Sequence, residues 1–151
     1  MVASNRDTLH LTSDKVLARL SKIGEVVACL VEEHIMFSSA TRWVSGAKVW
    51  SVQHDAQRWI EHLDAVGELP PKFSIVRDEL RAKQEAAGGR KARVDHIFDV
   101  PVALAHDFTG YRHDHVIPGL ADDTFEVLAA APPSAPEKTE GTSLWRRLFR
   151  A

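Results

Sequence analysis

The chain predicts an α+β domain: a small antiparallel or mixed β-sheet packed against two to four helices, with a flexible C-terminal tail. Three observations carry that expectation. Residues 25–31, Glu-Val-Val-Ala-Cys-Leu-Val, form a β-branched, continuously apolar run of strand length. Residues 40–54 hold two strand-like segments around Ser45-Gly46-Ala47, a turn signal. Residues 73–87 set Phe73, Val76, Leu80, Gln84 and Ala87 on one face at helical period and stop at Gly88-Gly89. Strands and helices interleave without a regular βαβ period, which points away from a doubly wound parallel sheet.

Taken in order, the first element is a helix over residues 13–23. Thr12 or Ser13 caps it, Val16, Leu17, Leu20 and Ile23 form its apolar stripe, and Gly24 stands where a left-handed cap belongs. The run 25–31 follows as a strand covered on both faces, which buries Cys29. It leads through Glu32-Glu33-His34 to Ile35-Met36-Phe37. In the hairpin, alternation puts Trp50, Val52 and His54 on one face and Val49, Ser51 and Gln53 on the other. The first face is expected inside, because Trp50 gains most from burial. Asp55 could cap a helix bearing Trp59, Ile60, Leu63 and Val66 and ended by Gly67, with a strand through 63–66 as the alternative. Pro71 suits the first turn of the 73–87 helix, whose apolar face Ile75 widens. Residues 93–100 read as a strand, with Val94, His96, Phe98 and Val100 facing one way and Arg93, Asp95, Ile97 and Asp99 the other. Pro101 opens a short helix closed by Thr109-Gly110, and residues 111–119 form a His-rich loop. Residues 122–128 make a last helix or edge strand.

The expected organisation is therefore an N-terminal extension (1–11), one α+β domain (12–130), a Pro-rich disordered linker (131–143) and a basic amphipathic peptide (144–151). The linker is rich in Pro, Ser, Glu, Lys and Thr and has too little apolar surface to offset the entropy of ordering. Of 151 residues, 44% are apolar and 26% charged, ordinary values for a globular protein. The formal charge of −2 is unevenly placed. In residues 132–151, Lys138, Arg146, Arg147 and Arg150 against Glu137 and Glu140 leave +2, so the remainder carries −4. An acidic body disfavours nucleic acid as a partner. A single cysteine, an N-terminus without an apolar stretch, and no apolar run near the ~20 residues of a membrane span together point to the cytoplasm.

Eight histidines, several beside aspartate, are the main candidates for chemistry, since imidazole with carboxylate serves both metal binding and acid–base catalysis. Strand parity turns His54 and His96 inward and sets Glu33 on the Val27, Cys29, Val31 and Ile35 face. That trio is a candidate catalytic set, or else a hydrogen-bond network that fixes register. On an extended segment His113 and His115 point the same way, which would suit a divalent metal such as zinc with Asp114, His106 or Asp107 as a third ligand; a solvated polar loop is the plainer reading. Glu32 and Glu33 could pair with Arg42 or Lys48 across strands. Gly88-Gly89-Arg90-Lys91 leaves a helix rather than entering one, so it reads as a C-cap and not as a phosphate cradle. Trp43 and Trp59 are candidate interface aromatics.

The tail is the stronger pointer to a partner. Leu144, Trp145, Leu148 and Phe149 recur at helical spacing, and Arg146, Arg147 and Arg150 take the other side. Such a peptide suits a groove on another protein, or weak contact with an anionic membrane surface. Folding back onto its own domain is the alternative. No cofactor motif is present. The expected function is a non-enzymatic binding or regulatory module, an adaptor, inhibitor or immunity-like protein of bacterial type. The alternative is a small metal-assisted hydrolase built on a His/Asp cluster.

Overall fold

Ser45 and Gly46 both adopt left-handed backbone (φ 52° and 87°), as a two-residue type I′ turn requires. Around this turn the chain, seen in a computed structural model, folds a four-stranded sheet. Residues 11–115 and Gly119 are described. The chain divides into two units, Met1–Gly119 and Leu120–Ala151, and every element below belongs to the first. The expected element at 122–128, the linker 131–143 and the peptide 144–151 lie outside the described residues.

The strands are β1 (Val26–Glu32), β2 (Phe37–Val44), β3 (Ala47–Asp55) and β4 (Asp64–Gly67). All pairings are antiparallel, in the order β1-β2-β3-β4. The expected hairpin is present, and Trp50, Val52 and His54 are indeed the buried face of β3. Register sets Ser38 opposite His54 and Ala40 opposite Val52, so these residues share the inner face. Helices α2 (Lys72–Ala86) and α3 (Asp99–Thr109) cover it, giving a core of Ala40, Trp50, Val52, Phe73, Val100, Leu104 and Ala105. Trp50 tilts against Phe108 with ring centroids 5.6 Å apart. The small helix α1 (Asp14–Leu20) sits on the opposite face, where Leu17 closes a small cavity with Ala28, Leu30, Ser39 and Thr41.

The fold class agrees with the sequence, but several elements do not. The helix expected over 13–23 ends at Leu20, where Ser21 takes up other bonds. Its Oγ donates to the Ala18 carbonyl (3.1 Å) and accepts the Gly46 N–H (2.9 Å), tying this turn to the hairpin tip. Gly24 is not left-handed. The helix expected from Asp55 is absent. The Asp55 carboxylate accepts the Gln57 N–H (3.0 Å), closing a turn, and the strand alternative holds as β4. The strand expected over 93–100 is also absent. Asp95 Oδ1 accepts the Ile97 and Phe98 N–H groups (3.0 and 3.2 Å), which starts α3 instead. Pro101 falls in the first turn of α3, where no N–H is needed. Ile75 is exposed rather than part of the α2 inner face. Cys29 is exposed because β1 lies at the sheet edge, covered on fewer sides than its composition implied.

Two glycines are required by geometry. Gly110 ends α3 in left-handed backbone (φ 67°), as expected. Gly67 ends β4 at φ 94°, and a Cβ there would lie 2.2 Å from the Val49 carbonyl oxygen and 2.9 Å from Trp50 Cα. The core strand and β4 therefore approach more closely than any side chain permits.

Candidate functional site

β3 delivers His54 into the interior next to the loop 56–63, and both nitrogens of its ring face oxygen acceptors. Nδ1–H donates to the His62 carbonyl (2.7 Å), and a proton bridges Nε2 and Asp95 Oδ2 (2.9 Å). His54 is 0% exposed and the Asp95 side chain 7%. Phe98 meets the His54 ring edge-on at 6.4 Å. Below it, Ser38 Oγ donates to the Phe98 carbonyl (2.7 Å), fastening β2 to the start of α3.

His62 is equally buried but wired differently. Its Nδ1 accepts the Asp55 N–H (2.9 Å), so Nε2 carries the proton and donates to Asp64 Oδ2 (3.0 Å). Arg58 donates to the same carboxylate oxygen (3.0 Å). The two imidazoles therefore knot the 56–63 loop to β3, to β4 and to the segment before α3. A third buried polar side chain, Gln84 of α2, donates to the Gly89 carbonyl (2.8 Å) and accepts the His96 N–H (2.8 Å).

Trp59 rides on this pinned loop. Its ring packs edge-to-face with His62 at 4.9 Å, Arg58 lies 5.6 Å from its centroid, and it remains 50% exposed. It forms one wall of an open groove of about 490 Å³. Arg81, Ala82 and Glu85 of α2 form the other wall, Glu61 lies at the rim, and the buried Gln84 and Ile97 are at the floor. Arg90 donates to Glu61 (3.1 Å). The groove thus combines a fixed aromatic, a floor of one amide and one aliphatic side chain, and a rim bearing both charges, a composition suited to contact with another molecule.

The structure separates most of the residues the sequence grouped. His54 is joined to Asp95 and His62, not to Glu33 or His96. Glu33 is exposed in the β1–β2 turn, 3.5 Å from His113 Nε2, and His96 is linked to its neighbours through its backbone N–H. His113 and His115 diverge: the first meets Glu33, and the second faces His106 with ring centroids 6.2 Å apart. Asp107 is paired with Lys72. Among the described residues no group of three or more His, Cys, Asp or Glu side chains could hold a metal ion. Glu32 and Glu33 do not reach Arg42 or Lys48. Arg42 instead holds Glu25 through two bonds (2.8 and 3.0 Å), which keeps the Glu25 carboxyl below its usual range, and Lys48 pairs with Asp14. Arg112 likewise bonds Asp114 (2.7 Å), lowering that carboxyl, and Asp99 (2.6 Å). Cys29 has an exposed residue surface, yet desolvation by atoms around its sulfur pushes the thiol up to about 11, with Arg112 pulling weakly the other way. Of the two aromatics in question, Trp43 is buried, with Nε1 donating to Thr41 Oγ1 (3.1 Å), and Trp59 is the exposed one.

Sequence reasoning missed His62 and Asp95. The signal for Asp95 was present: an aspartate ahead of an apolar pair and a proline is a helix-start pattern. No protein-family model, curated protein or solved structure matches the chain. No helix among the described residues is long and apolar enough to cross a membrane.

Proposed function

We propose that the chain is a non-enzymatic binding module that recognises a protein partner through the Trp59 groove, with residues 144–151 as a second, peptide-like contact. The observation that carries this reading is a half-exposed tryptophan held on a loop immobilised from below by two buried histidines. Rigid aromatic anchors beside a charged rim are what binding hot spots are made of, because little entropy is lost when they dock. The same histidines support the binding reading over the hydrolytic one. Their ring nitrogens are occupied by a main-chain carbonyl, a main-chain N–H and two carboxylates, so they position the loop rather than face the groove.

The test uses the full chain with a photocrosslinking amino acid at Ala82, in cells and in purified mixtures. A defined partner should crosslink from Ala82. Capture should fall at least tenfold with Trp59→Ala and more modestly on deletion of residues 144–151, with circular dichroism and melting temperature essentially unchanged. Crosslinks equally abundant with Trp59→Ala would rule out the groove as the contact.

A further inference from the structure

Among the described residues, β1 is an edge strand with a free side. β2 is its one sheet neighbour among the described residues, and none of the backbone bonds made by the described loops reaches it. Half the N–H and C=O groups of such a strand point away from the sheet. Edges of this kind are usually blunted by a proline, a lysine, a bulge or short length. β1 has none of these: it runs seven residues, Val-Val-Ala-Cys-Leu-Val-Glu, in unbroken register from Val26 opposite Trp43 to Glu32 opposite Phe37. The other edge, β4, has only four residues and stops at the left-handed Gly67. β1 carries Val27, Cys29 and Val31 on one face, and Val26, Ala28 and Leu30 on the other, which ends in the exposed Glu32.

We infer that β1 pairs antiparallel with β1 of a second copy of this chain, about a two-fold axis at Cys29, extending the sheet to eight strands. An antiparallel edge is its own complement under a two-fold rotation: the donors and acceptors it offers are those the rotated copy needs. Cys29 is the midpoint of Val26–Glu32, so a register centred there uses the whole strand. Val27 then faces the partner's Val31 and Ala28 faces the partner's Leu30, apolar against apolar. At each end of the ladder Val26 faces the partner's Glu32, and just beyond it Glu25 faces the partner's Glu33. Glu25 is paired with Arg42 of its own chain, and Glu33 lies 3.5 Å from His113 Nε2. Cys29 itself is exposed, leaving room for its counterpart. This surface is distinct from the Trp59 groove and does not depend on the binding reading.

Sedimentation velocity on the reduced full-length chain, across the micromolar range, should show a concentration-dependent dimer. In the inferred register the two Cys29 Cα atoms are about 4.5–5.5 Å apart, within disulfide reach, so copper-phenanthroline should convert the dimer to a covalent one that runs double on a non-reducing gel. Cys29→Ala should keep the dimer and lose the crosslink. Cys29→Lys, which opposes two cations at the centre, should weaken dimerisation at least about tenfold. Val66→Lys on β4 and Trp59→Ala should change neither readout. A chain that stays monomeric at every concentration overturns the inference. So does a dimer indifferent to Cys29→Lys, or one that Cys29 cannot crosslink.

Discussion

His54 shows how much one buried polar side chain is asked to do. It satisfies a main-chain carbonyl and a carboxylate at once, both out of water. Replacing it by phenylalanine keeps the ring but leaves both acceptors without a donor, at about 1–3 kcal/mol for each. His54→Phe should therefore lower the free energy of unfolding by about 2–5 kcal/mol in urea titration; a loss below about 0.5 kcal/mol would mean the network is replaceable by packing. The inward direction of His54 was legible, because period-two alternation and the burial preference of Trp50 set the parity of β3. Its partners were not. Read as a strand, residues 93–100 turn His96 inward and Asp95 outward. The turn that replaces that strand rotates Asp95 toward His54.

At the scale of elements, the sequence spoke clearly where pattern and punctuation agree. The β2–β3 hairpin has alternation plus a glycine turn, and α2 has a helical stripe plus a left-handed Gly88 just after its C-cap, Ala87. It misled at residues 55–66, where helical spacing of Trp59, Ile60 and Leu63 was overridden by side chain-to-backbone bonds from Asp55 and His62. It misled again at 93–100, where alternation was accidental and the turn closed by the Asp95 carboxylate decided the outcome. Glycines give a paired test of how tightly elements meet. Gly67→Ala forces a Cβ against Val49 and Trp50 in left-handed backbone, and should cost about 3 kcal/mol or more by thermal melting. Gly24→Ala meets nothing within 4 Å and has ordinary backbone, so it should be neutral or stabilise by about 0.4–1 kcal/mol. Equal effects at the two sites would contradict the close approach of β3 and β4.

At the scale of the molecule, three carboxyls among the described residues titrate below their usual range, each because an arginine bonds it: Glu25 by Arg42, Asp78 by Arg77 and Asp114 by Arg112. A carboxyl whose folded pKa is depressed stabilises the fold fully above its unfolded value and loses that contribution as pH falls through the folded value. The ordinary values are 4.5 for Glu25 and 3.8 for Asp78 and Asp114, so the loss sets in below about pH 4.5 and deepens toward more acid conditions. Urea midpoints should be level from pH 7 to 5 with respect to these groups and fall below that. Glu25→Gln should soften the fall, and high salt should shrink it, since all three pairs are open to solvent. An acid limb of unchanged steepness in the variant would show that Glu25 takes no part.

The connections between strands differ in length: residues 33–36, then residues 45–46, then residues 56–63. Chain-closure entropy grows with the number of links, so the last of these is the most expensive segment of the sheet to hold in one shape. It has eight residues with no helix or strand of their own, and it displays Trp59. The two imidazoles below it stand in for secondary structure, supplying by side chain the restraint that a ladder of amides supplies elsewhere.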